Sequence, residues 1–503
     1  MIIVFIVLLL TLFLLSYVLP VDLSQKTLGS ARFSTGSVLK KESNGFVIDG
    51  VHALDLKNSF RMGALLASTG SGKTTSVLVP SIIKNADHGL NIIALDPKHE
   101  LHELTNWILE KRGYNVHVLD LDNVEYSISF NPVRNCKTEN ALRELAGDLY
   151  QISHGSSSSS DAIWSIGAKN LISIYLSCML NMPSRYKCLD TLITLLSHTE
   201  DGTPRCEYFV QAYGGNAELQ KFATFQRQDV KVKMGYLSTA LAALHGLDTL
   251  NIRSLSAGDT FDFSELRSEK TALFLKLPAG SNSSGMYQSL FFTQLFRYLL
   301  RTDVQKEDRP ILMYLEELPS IAKISLLPKA KMLLRSKRVG ICSVAQNIEA
   351  LEAVYGKQDT NTILANSNSL IALPGIRDER TLRYLSILMG EQTVESYSMN
   401  SNQVRMDKKP LLNMSETRTM DFGLFIHGNH QPEKITPQPI YMNQELMKLA
   451  NLISVDERLT PIEVIETEKK NDCKKFISPD MDELINARNI EKEQKLEHIL
   501  SSK

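Results

Sequence analysis

The stretch Ala67–Thr75 combines glycines, hydroxyl side chains and one lysine at the spacing that binds a phosphate group. It reads A-S-T-G-S-G-K-T-T and matches the P-loop pattern, with Ala67 where the strict consensus has glycine. Glycines let consecutive backbone N–H groups face a phosphate at the start of a helix. The lysine would contact the β- and γ-phosphates, and the hydroxyl after it would bind Mg²⁺. An ordinary Gly/Ser turn is the alternative, but an apolar run before the motif and a helical run after it favour a nucleotide site.

A P-loop ATPase also needs a carboxylate at the end of a neighbouring strand. Ile311–Leu315 is a run of apolar residues followed by Glu316 and Glu317. We expect Glu316 to hold the magnesium shell and Glu317 to act as general base for the attacking water. Surface acids after a strand are the alternative. The usual pair is Asp-Glu, so Glu316 is one methylene longer than expected.

Three further positions have weaker chemical signals. Lys329–Arg338 contains five basic residues and no acid, which indicates a solvated helix face or, in an oligomer, an arginine that reaches the neighbour's γ-phosphate. Gln346 follows an apolar run and would sense γ-phosphate or cap the strand. Asp96 ends another strand and would orient Lys73 and the magnesium waters or cap the next helix.

The predicted catalytic residues are Lys73, Glu316, Glu317, Arg335 and Gln346, with Thr74 and Glu316 at the metal. The predicted nucleotide-binding residues are Ser68, Thr69, Gly70, Ser71, Gly72, Lys73, Thr74, Thr75 and Asp96.

The hydrophobic pattern predicts the elements that position these residues. Short apolar runs alternate with helical spacing from residue 62 to 119 and again from 271 to 389, which is typical of a mainly parallel sheet covered by helices. Between about 135 and 260 the pattern is helical throughout. We therefore predict an α/β fold with a RecA-like P-loop NTPase domain, an inserted all-α domain and an N-terminal transmembrane helix. The predicted divisions are 1–20 (anchor), 21–60 (connector), 61–135 and 265–455 (nucleotide-binding domain), 136–264 (all-α domain) and 456–503 (a charged tail, either a solvated helix or disordered).

Composition and the N-terminal sequence limit the possible partners and the cellular location of the chain. The 503 residues are 43% hydrophobic and 22% charged with a net charge of −1, so nucleic-acid contacts would come from local patches. Six scattered cysteines with no CxxC pair indicate reduced thiols. Ile2–Leu19 has no charge and reaches the lower length limit for a membrane span. A signal peptide and a buried helix are the alternatives, and the lysines and arginines after the run place the bulk of the chain in the cytoplasm.

Taken together, these motifs resemble the type IV secretion coupling proteins of the TraG/TraD kind, and the resemblance runs along almost the whole chain. Arg335 lies eighteen residues after Glu317 and eleven before Gln346, which fits the family's conserved arginine. The other matching positions are Gly29–Arg32, Val79–Pro80, Asp96–Glu100, Asn131–Pro132, Trp164, Tyr355–Gly356, and Lys409–Leu412 with Glu416.

The resemblance implies a membrane-anchored ATPase of conjugation, single-pass in the bacterial inner membrane, that forms a homo-hexamer and uses ATP and Mg²⁺. It implies as partners single-stranded DNA, a relaxase and the channel of a type IV secretion system, with Arg335 acting as a finger on the neighbouring subunit. Two departures within the motifs are Glu316 for Asp and His99 for Gly. An FtsK/HerA-like DNA pump and a nucleotide-binding substrate receptor with little hydrolysis remain as alternatives.

Overall fold

A nine-stranded sheet carries the P-loop and the glutamate pair at the carboxyl ends of its parallel strands. The structure, a computed structural model, describes residues 28–154, 162–199, 205–277, 282–397, 404–455, 458–461 and 477–490. The predicted anchor at Ile2–Leu19 and the serine-rich stretch at 155–161 lie outside these ranges. Among the described residues, no helix combines the length and apolar content needed to cross a membrane.

The sheet has the strand order β11-β10-β7-β1-β6-β5-β2-β4-β3. Its strands are β1 (Gly63–Leu66), β2 (Asn91–Asp96), β3 (Asn115–Asp120), β4 (Thr271–Lys276), β5 (Ile311–Leu315), β6 (Val339–Ala345), β7 (Ser369–Ala372), β10 (Gly423–His427) and β11 (Glu433–Ile435). The seven strands from β7 to β3 are parallel, and β10 and β11 add an antiparallel edge. Two hairpins complete the strands: β8 (Glu391–Tyr397) with β9 (Val404–Pro410), and β12 (Leu452–Val455) with β13 (Arg458–Pro461).

Helices cover both faces of the sheet, and the predicted mainly parallel α/β architecture is confirmed. Those packed with the sheet are α1 (Leu56–Ser59), α2 (Val79–Asp87), α3 (Glu100–Lys111), α12 (Asn282–Arg301), α13 (Leu327–Leu333), α14 (Ile348–Ala365), α15 (Glu379–Met389), α16 (Met414–Arg418) and α17 (Gln444–Leu449). The inner parallel strands β1, β2, β5 and β6 are mostly apolar and fully buried because helices pack on both sides of them.

Every regular element described between Glu139 and β4 is helical. These elements are α4 (Glu139–His154), α5 (Ala162–Met179), α6 (Leu189–Thr199), α7 (Arg205–Tyr213), α8 (Asn216–Gln226), α9 (Val230–His245), α10 (Leu250–Ala257) and α11 (Glu265–Ser268). Their apolar side chains belong to the same continuous core as α12 and one face of the sheet. Arg297 of α12 reinforces that contact through an ion pair with Asp148 of α4 at 2.8 Å. Removing the helical segment would therefore expose core residues of the sheet domain.

The charged tail differs from its prediction. Residues 477–490 pack on the helical segment, with Met481, Leu484 and Ala487 buried in its core. The Arg488 guanidinium donates to the carbonyl oxygens of Asn181 and Ala212. The tail was predicted as a solvated helix or a disordered segment, and residues 481–490 are helical, but they are not fully solvated because three apolar side chains spaced by three residues form one buried stripe.

Candidate active site

The phosphate-binding loop lies where β1 ends, at the carboxyl edge of the parallel sheet. Gly70 and Gly72 have φ angles of 78° and 80°, a conformation that glycine adopts without strain. A Cβ on Gly72 would also lie 3.3 Å from the Ser76 hydroxyl. The two glycines therefore give the loop the curvature that a row of N–H groups needs to surround an anion.

The first turn after the loop is wider than an α-helix. Residues Thr74–Leu78 form a π-turn in which the Val79 N–H donates to the Thr74 carbonyl. Pro80 lacks an N–H and its ring would clash with the carbonyl four residues earlier, which explains why regular α-helical bonding does not run through this turn. The turn buries Thr74 and positions its hydroxyl toward the neighbouring strand end.

Lys73, Thr74, Glu316 and Glu317 converge as the sequence predicts. The Thr74 hydroxyl donates to Glu316 Oε1 at 3.1 Å. Lys73 Nζ lies 3.9 Å from Glu316 Oε1 and 3.6 Å from Glu317 Oε2. Glu317 has a φ of 48°, which costs energy for a residue with a Cβ and turns the chain sharply after β5. The lysine and both carboxylates thus meet in one buried cluster beside the P-loop.

Burial controls the chemistry of Glu316. Its side chain is fully buried, and that burial raises its pKa to about 7, although Lys73 lowers it and Asp96 raises it further. One carboxylate oxygen, Oε2, is buried without a hydrogen-bond partner. An unpaired carboxylate oxygen beside a threonine hydroxyl fits the hard oxygen ligands that Mg²⁺ prefers. Thr74 and Glu316 could therefore hold the ion or its waters.

Asp96 performs the second of its two predicted roles. Its carboxylate oxygens accept the backbone N–H groups of Leu101 at 3.2 Å and His102 at 2.8 Å, so it caps α3. Burial raises its pKa to about 6. Because both oxygens are used by the helix, the structure gives Asp96 no direct contact with Lys73.

A cleft of about 930 Å³ opens on the other side of the P-loop. Ser68–Ser71 form one wall, and Gln346 with residues 374–378 forms the other. Gln346 therefore lies level with the loop, as predicted. Arg377, which the sequence interpretation missed, is exposed and is the cation on this wall. The only sequence signal for Arg377 was the Pro-Gly pair before it, which follows a strand that ends at the same edge of the sheet.

Arg335 does not join this cluster within the subunit. It is exposed in a 3₁₀ turn, Leu334–Lys337, before β6, whereas the P-loop follows the carboxyl edge. The seven residues of β6 separate the two edges by roughly 20 Å. Within the described residues the Arg335 side chain makes no ion pair or hydrogen bond, while Lys337 pairs with Asp303 at 3.0 Å and Arg338 donates to the Lys306 carbonyl.

Lys331 departs from the predicted solvated face of this basic stretch. It is buried and donates to the Gly63 carbonyl at 2.8 Å and to the Ser343 hydroxyl at 3.0 Å. Burial lowers its pKa to about 7. This lysine joins α13 to the sheet and contributes nothing to the basic surface.

Comparison with known proteins identifies the family. The family model described as type IV secretory system conjugative DNA transfer matches residues 22–456, most of the chain. The chain belongs to this family. Among curated conjugative DNA transfer relatives, protein VirD4 of Rhizobium rhizogenes is 23% identical over 76% of this chain and 59% of its own length. The probable conjugal transfer protein TraG of Sinorhizobium fredii (strain NBRC 101917 / NGR234) is 21% identical over 66% of this chain and 53% of its own length. The chain thus spans little more than half the length of these relatives.

Solved structures of conjugative coupling proteins share the fold. The unbound coupling protein TrwBdeltaN70 superposes with a TM-score of 0.62 at 15% identity, covering 82% of this chain and 95% of that one. Plasmid coupling protein TrwB in complex with ADP and Mg²⁺ gives a TM-score of 0.60 at 16% identity, covering 82% and 94%. This likeness shows that the chain shares the α/β fold of these coupling proteins, with its mainly parallel sheet.

One departure from the family motif has a visible structural effect. His99 adopts a φ of 64°, in the left-handed region where the family's glycine carries no penalty. Its Nε2 lies 3.1 Å from the carbonyl oxygen of Leu277, and a hydrogen bond there offsets part of the strain. Histidine therefore keeps the glycine conformation here and adds a contact to the end of β4.

Proposed function

We propose that this chain is a P-loop ATPase that couples ATP hydrolysis to the delivery of single-stranded DNA with its relaxase to a type IV secretion channel. The observation that carries this proposal is the cluster of Lys73, Thr74, Glu316 and Glu317 beside the P-loop. Membership of the conjugative DNA transfer family supports the DNA and channel partners. Relatives named as coupling and conjugal transfer proteins support the same role.

Each residue of the cluster has a distinct task in this proposal. The backbone of Ser68–Thr75 binds the phosphates, and Lys73 moves from its carboxylate neighbours to the β- and γ-phosphates. Thr74 and Glu316 hold Mg²⁺, which when bound offsets phosphate charge. Glu317 orients and deprotonates the attacking water. Gln346 and Arg377 contact the nucleotide from the opposite wall of the cleft.

The proposal extends to assembly and location. Arg335 is exposed and unpaired within the described residues, which supports a role on a neighbouring subunit of a homo-hexamer. Ile2–Leu19 would anchor the chain in the bacterial inner membrane as a single span, with the rest in the cytoplasm. Residues 61–135 and 265–455 would form the motor, and residues 136–264 would form the all-α domain that meets the substrate.

ATP binding and turnover by three proteins test the motor. We expect the wild type to hydrolyse ATP faster when single-stranded DNA is present. We expect Lys73→Ala to lose nucleotide binding, because the lysine is the cation that neutralises the phosphates. Glu317→Gln should bind ATP and hydrolyse it at least roughly a hundredfold more slowly, since it loses the general base. Glu349→Gln, an exposed glutamate on α14, is the control.

A nucleotide-binding receptor is the second candidate. The observation that favours it is the buried Glu316, because a carboxyl that holds its proton near neutral pH binds Mg²⁺ less well. If the wild type binds ATP and supports DNA transfer but shows no turnover with or without DNA, the ATPase proposal is wrong and the receptor function replaces it.

A further inference from the structure

The helical segment has an exposed apolar surface at one end, far in sequence from the nucleotide cluster. It consists of five large side chains on the first turns of α5 and α9, and we call it the α5–α9 patch. Its members, each at least 39% exposed, are Ile163, Trp164, Ile166, Val230 and Met234. Contiguous apolar side chains at a protein surface are typical of an interaction site.

The patch has a fixed framework. The rings of Trp164 and Tyr236 meet edge to face with their centroids 5.8 Å apart. A Cβ on Gly235 would lie 2.3 Å from the Trp164 ring, and one on Gly167 would lie 2.1 Å from the Tyr236 ring. Glycine at these two positions therefore lets the aromatic rings seat between the helices and brings the amino-terminal ends of α5 and α9 side by side.

A cavity adjoins the patch. It has a volume of about 450 Å³, and its wall includes Ile166 of the patch and Tyr236, whose ring contacts Trp164. Leu171, Ile174 and Phe225 supply further apolar lining, with Arg143 and Lys221 at the same site. The volume falls within the range of roughly 300–1,000 Å³ that accommodates small ligands and anchoring side chains.

The surroundings of the patch are basic and partly unpaired. Arg227, Lys231 and Lys233 flank Val230 and Met234 on the same stretch, and none of these side chains has an ion pair or hydrogen bond within the described residues. At the cavity, Arg143 and Lys221 share Glu139, at 2.5 Å and 3.9 Å. Asp229 uses its carboxylate to cap α9. Available positive charge beside exposed apolar side chains complements a partner with carboxylates and apolar groups.

We propose that the α5–α9 patch binds a short peptide segment of a protein partner, with an aromatic or large aliphatic side chain in the cavity and acidic side chains against Arg227, Lys231 and Lys233. Aliphatic side chains dominate the patch, whereas single-stranded nucleic acid is held mainly by open aromatic faces, so a peptide fits better than DNA. The inference rests on the proposed function, because it specifies the partner chemistry that the all-α domain recognises.

Binding of short fluorescent peptides to the detergent-solubilised full chain tests this inference. The probe is a peptide of repeated Glu-Glu-Trp-Leu units, and the matched peptides replace Trp and Leu by Ala or Glu by Lys. We expect only the original peptide to bind well. The variant Ile163→Ser/Ile166→Ser should bind it at least about tenfold more weakly, as expected for loss of central anchors. The variant Tyr208→Ser/Leu250→Ser, which alters exposed apolar residues elsewhere on the helical segment, should bind like the wild type.

Any of the following results would overturn the inference. The acidic peptide could fail to bind, or bind both variants equally. Oligothymidine could bind instead and be lost with Ile163→Ser/Ile166→Ser, which would make the patch a DNA surface. The same variant could change the number of subunits, which would make the patch a contact between copies of the chain. ATP hydrolysis is measured on the same samples, so a failure of the motor is separated from a failure of the peptide site.

Discussion

At the scale of single residues, burial changes the chemistry of Glu316 more than the extra length of its side chain does. The extra methylene still lets its carboxylate reach Thr74 at 3.1 Å, so the longer acid is accommodated. Its full burial, in contrast, makes ionisation costly and raises its pKa to about 7. Lys73 offsets only part of that cost. The residue therefore gains or loses its proton in the pH range where the protein would work.

The raised pKa of Glu316 predicts that the stability of the nucleotide-free protein depends on pH. A carboxyl pKa that is higher in the folded state than in the unfolded state means that stability falls as pH rises between the two values, here from 4.5 to about 7. We expect Glu316→Gln to be more stable than the wild type above about pH 7, by on the order of 1–3 kcal/mol, and to match it below about pH 5. Denaturant unfolding across pH measures this difference. A constant difference at all pH values would contradict the assignment, and Glu349→Gln serves as an exposed control.

His99 gives a second prediction at this scale. Alanine would keep the strained left-handed conformation and lose the Leu277 contact, whereas glycine would lose the contact and also the strain. We expect His99→Gly to be more stable than His99→Ala by about 1 kcal/mol. Thermal unfolding of the two variants measures the order, and an equal or reversed order would mean that residue 99 is not held in this conformation.

At the scale of elements, residues 477–490 connect the end of the chain to the helical segment. The Tyr186 hydroxyl donates to Glu483 at 2.8 Å, and Ser478 and Arg253 both contact Asp190, at 3.0 Å and 2.7 Å. Met481 and Leu484 are also buried in the apolar core to which α6 and α7 contribute. A stretch that is charged in composition is thus fixed by a few apolar and polar contacts.

Leu484 tests that docking. Its side chain is fully buried, so Leu484→Ala should cost about 2–4 kcal/mol of local stability. Amide hydrogen exchange in α6 and α7 should become faster as a result. Asn489→Ala, on an exposed position of the same segment, should leave the exchange unchanged. Identical exchange in both variants would mean that the segment does not dock in solution.

At the scale of the whole molecule, the position of Arg335 favours a motor of several subunits over a motor of one subunit. The arginine lies at the opposite edge of the sheet from the P-loop, so it cannot reach the nucleotide of its own subunit. It stays unpaired among the described residues, whereas Lys337 and Arg338 are held by their own subunit. In the proposed ring, we expect this arginine to act on the γ-phosphate bound by the neighbouring subunit.

Mixed rings test this arrangement. Arg335→Ala and Lys73→Ala should each be inactive alone, with Arg335→Ala losing roughly 10³–10⁵ in rate. Mixed together they should regain part of the ATPase activity, because some interfaces contain one intact arginine and one intact P-loop. Arg338→Ala should keep its activity and is the control. The assignment of Arg335 as the finger would be wrong if the mixture stays inactive while the wild type is active. It would also be wrong if rescue depends on Arg338.

The sequence by itself determined which side chains belong to the candidate nucleotide site. Lys73 and Thr74 follow a glycine pattern whose conformation is set locally, and Glu316 follows an apolar run of a length typical of a buried strand. Parallel strands bring their carboxyl ends to one edge, so these side chains were expected at the same edge of the sheet. The alternation of strands and helices determined the α/β core for the same reason, since each pattern depends on neighbours in the sequence.

Only the tertiary structure decided which of these side chains are buried, paired or strained. The burial of Lys331, the contact of His99 with Leu277 and the cleft wall with Arg377 depend on residues distant in the chain. Strand β10 likewise pairs with β7 about fifty positions earlier, since Leu424 lies opposite Ala372, and Glu483 of the docked residues contacts Tyr186 nearly three hundred positions away. Packing between such distant segments determines the local dielectric and the available hydrogen bonds, and neither leaves a periodic signal in the sequence.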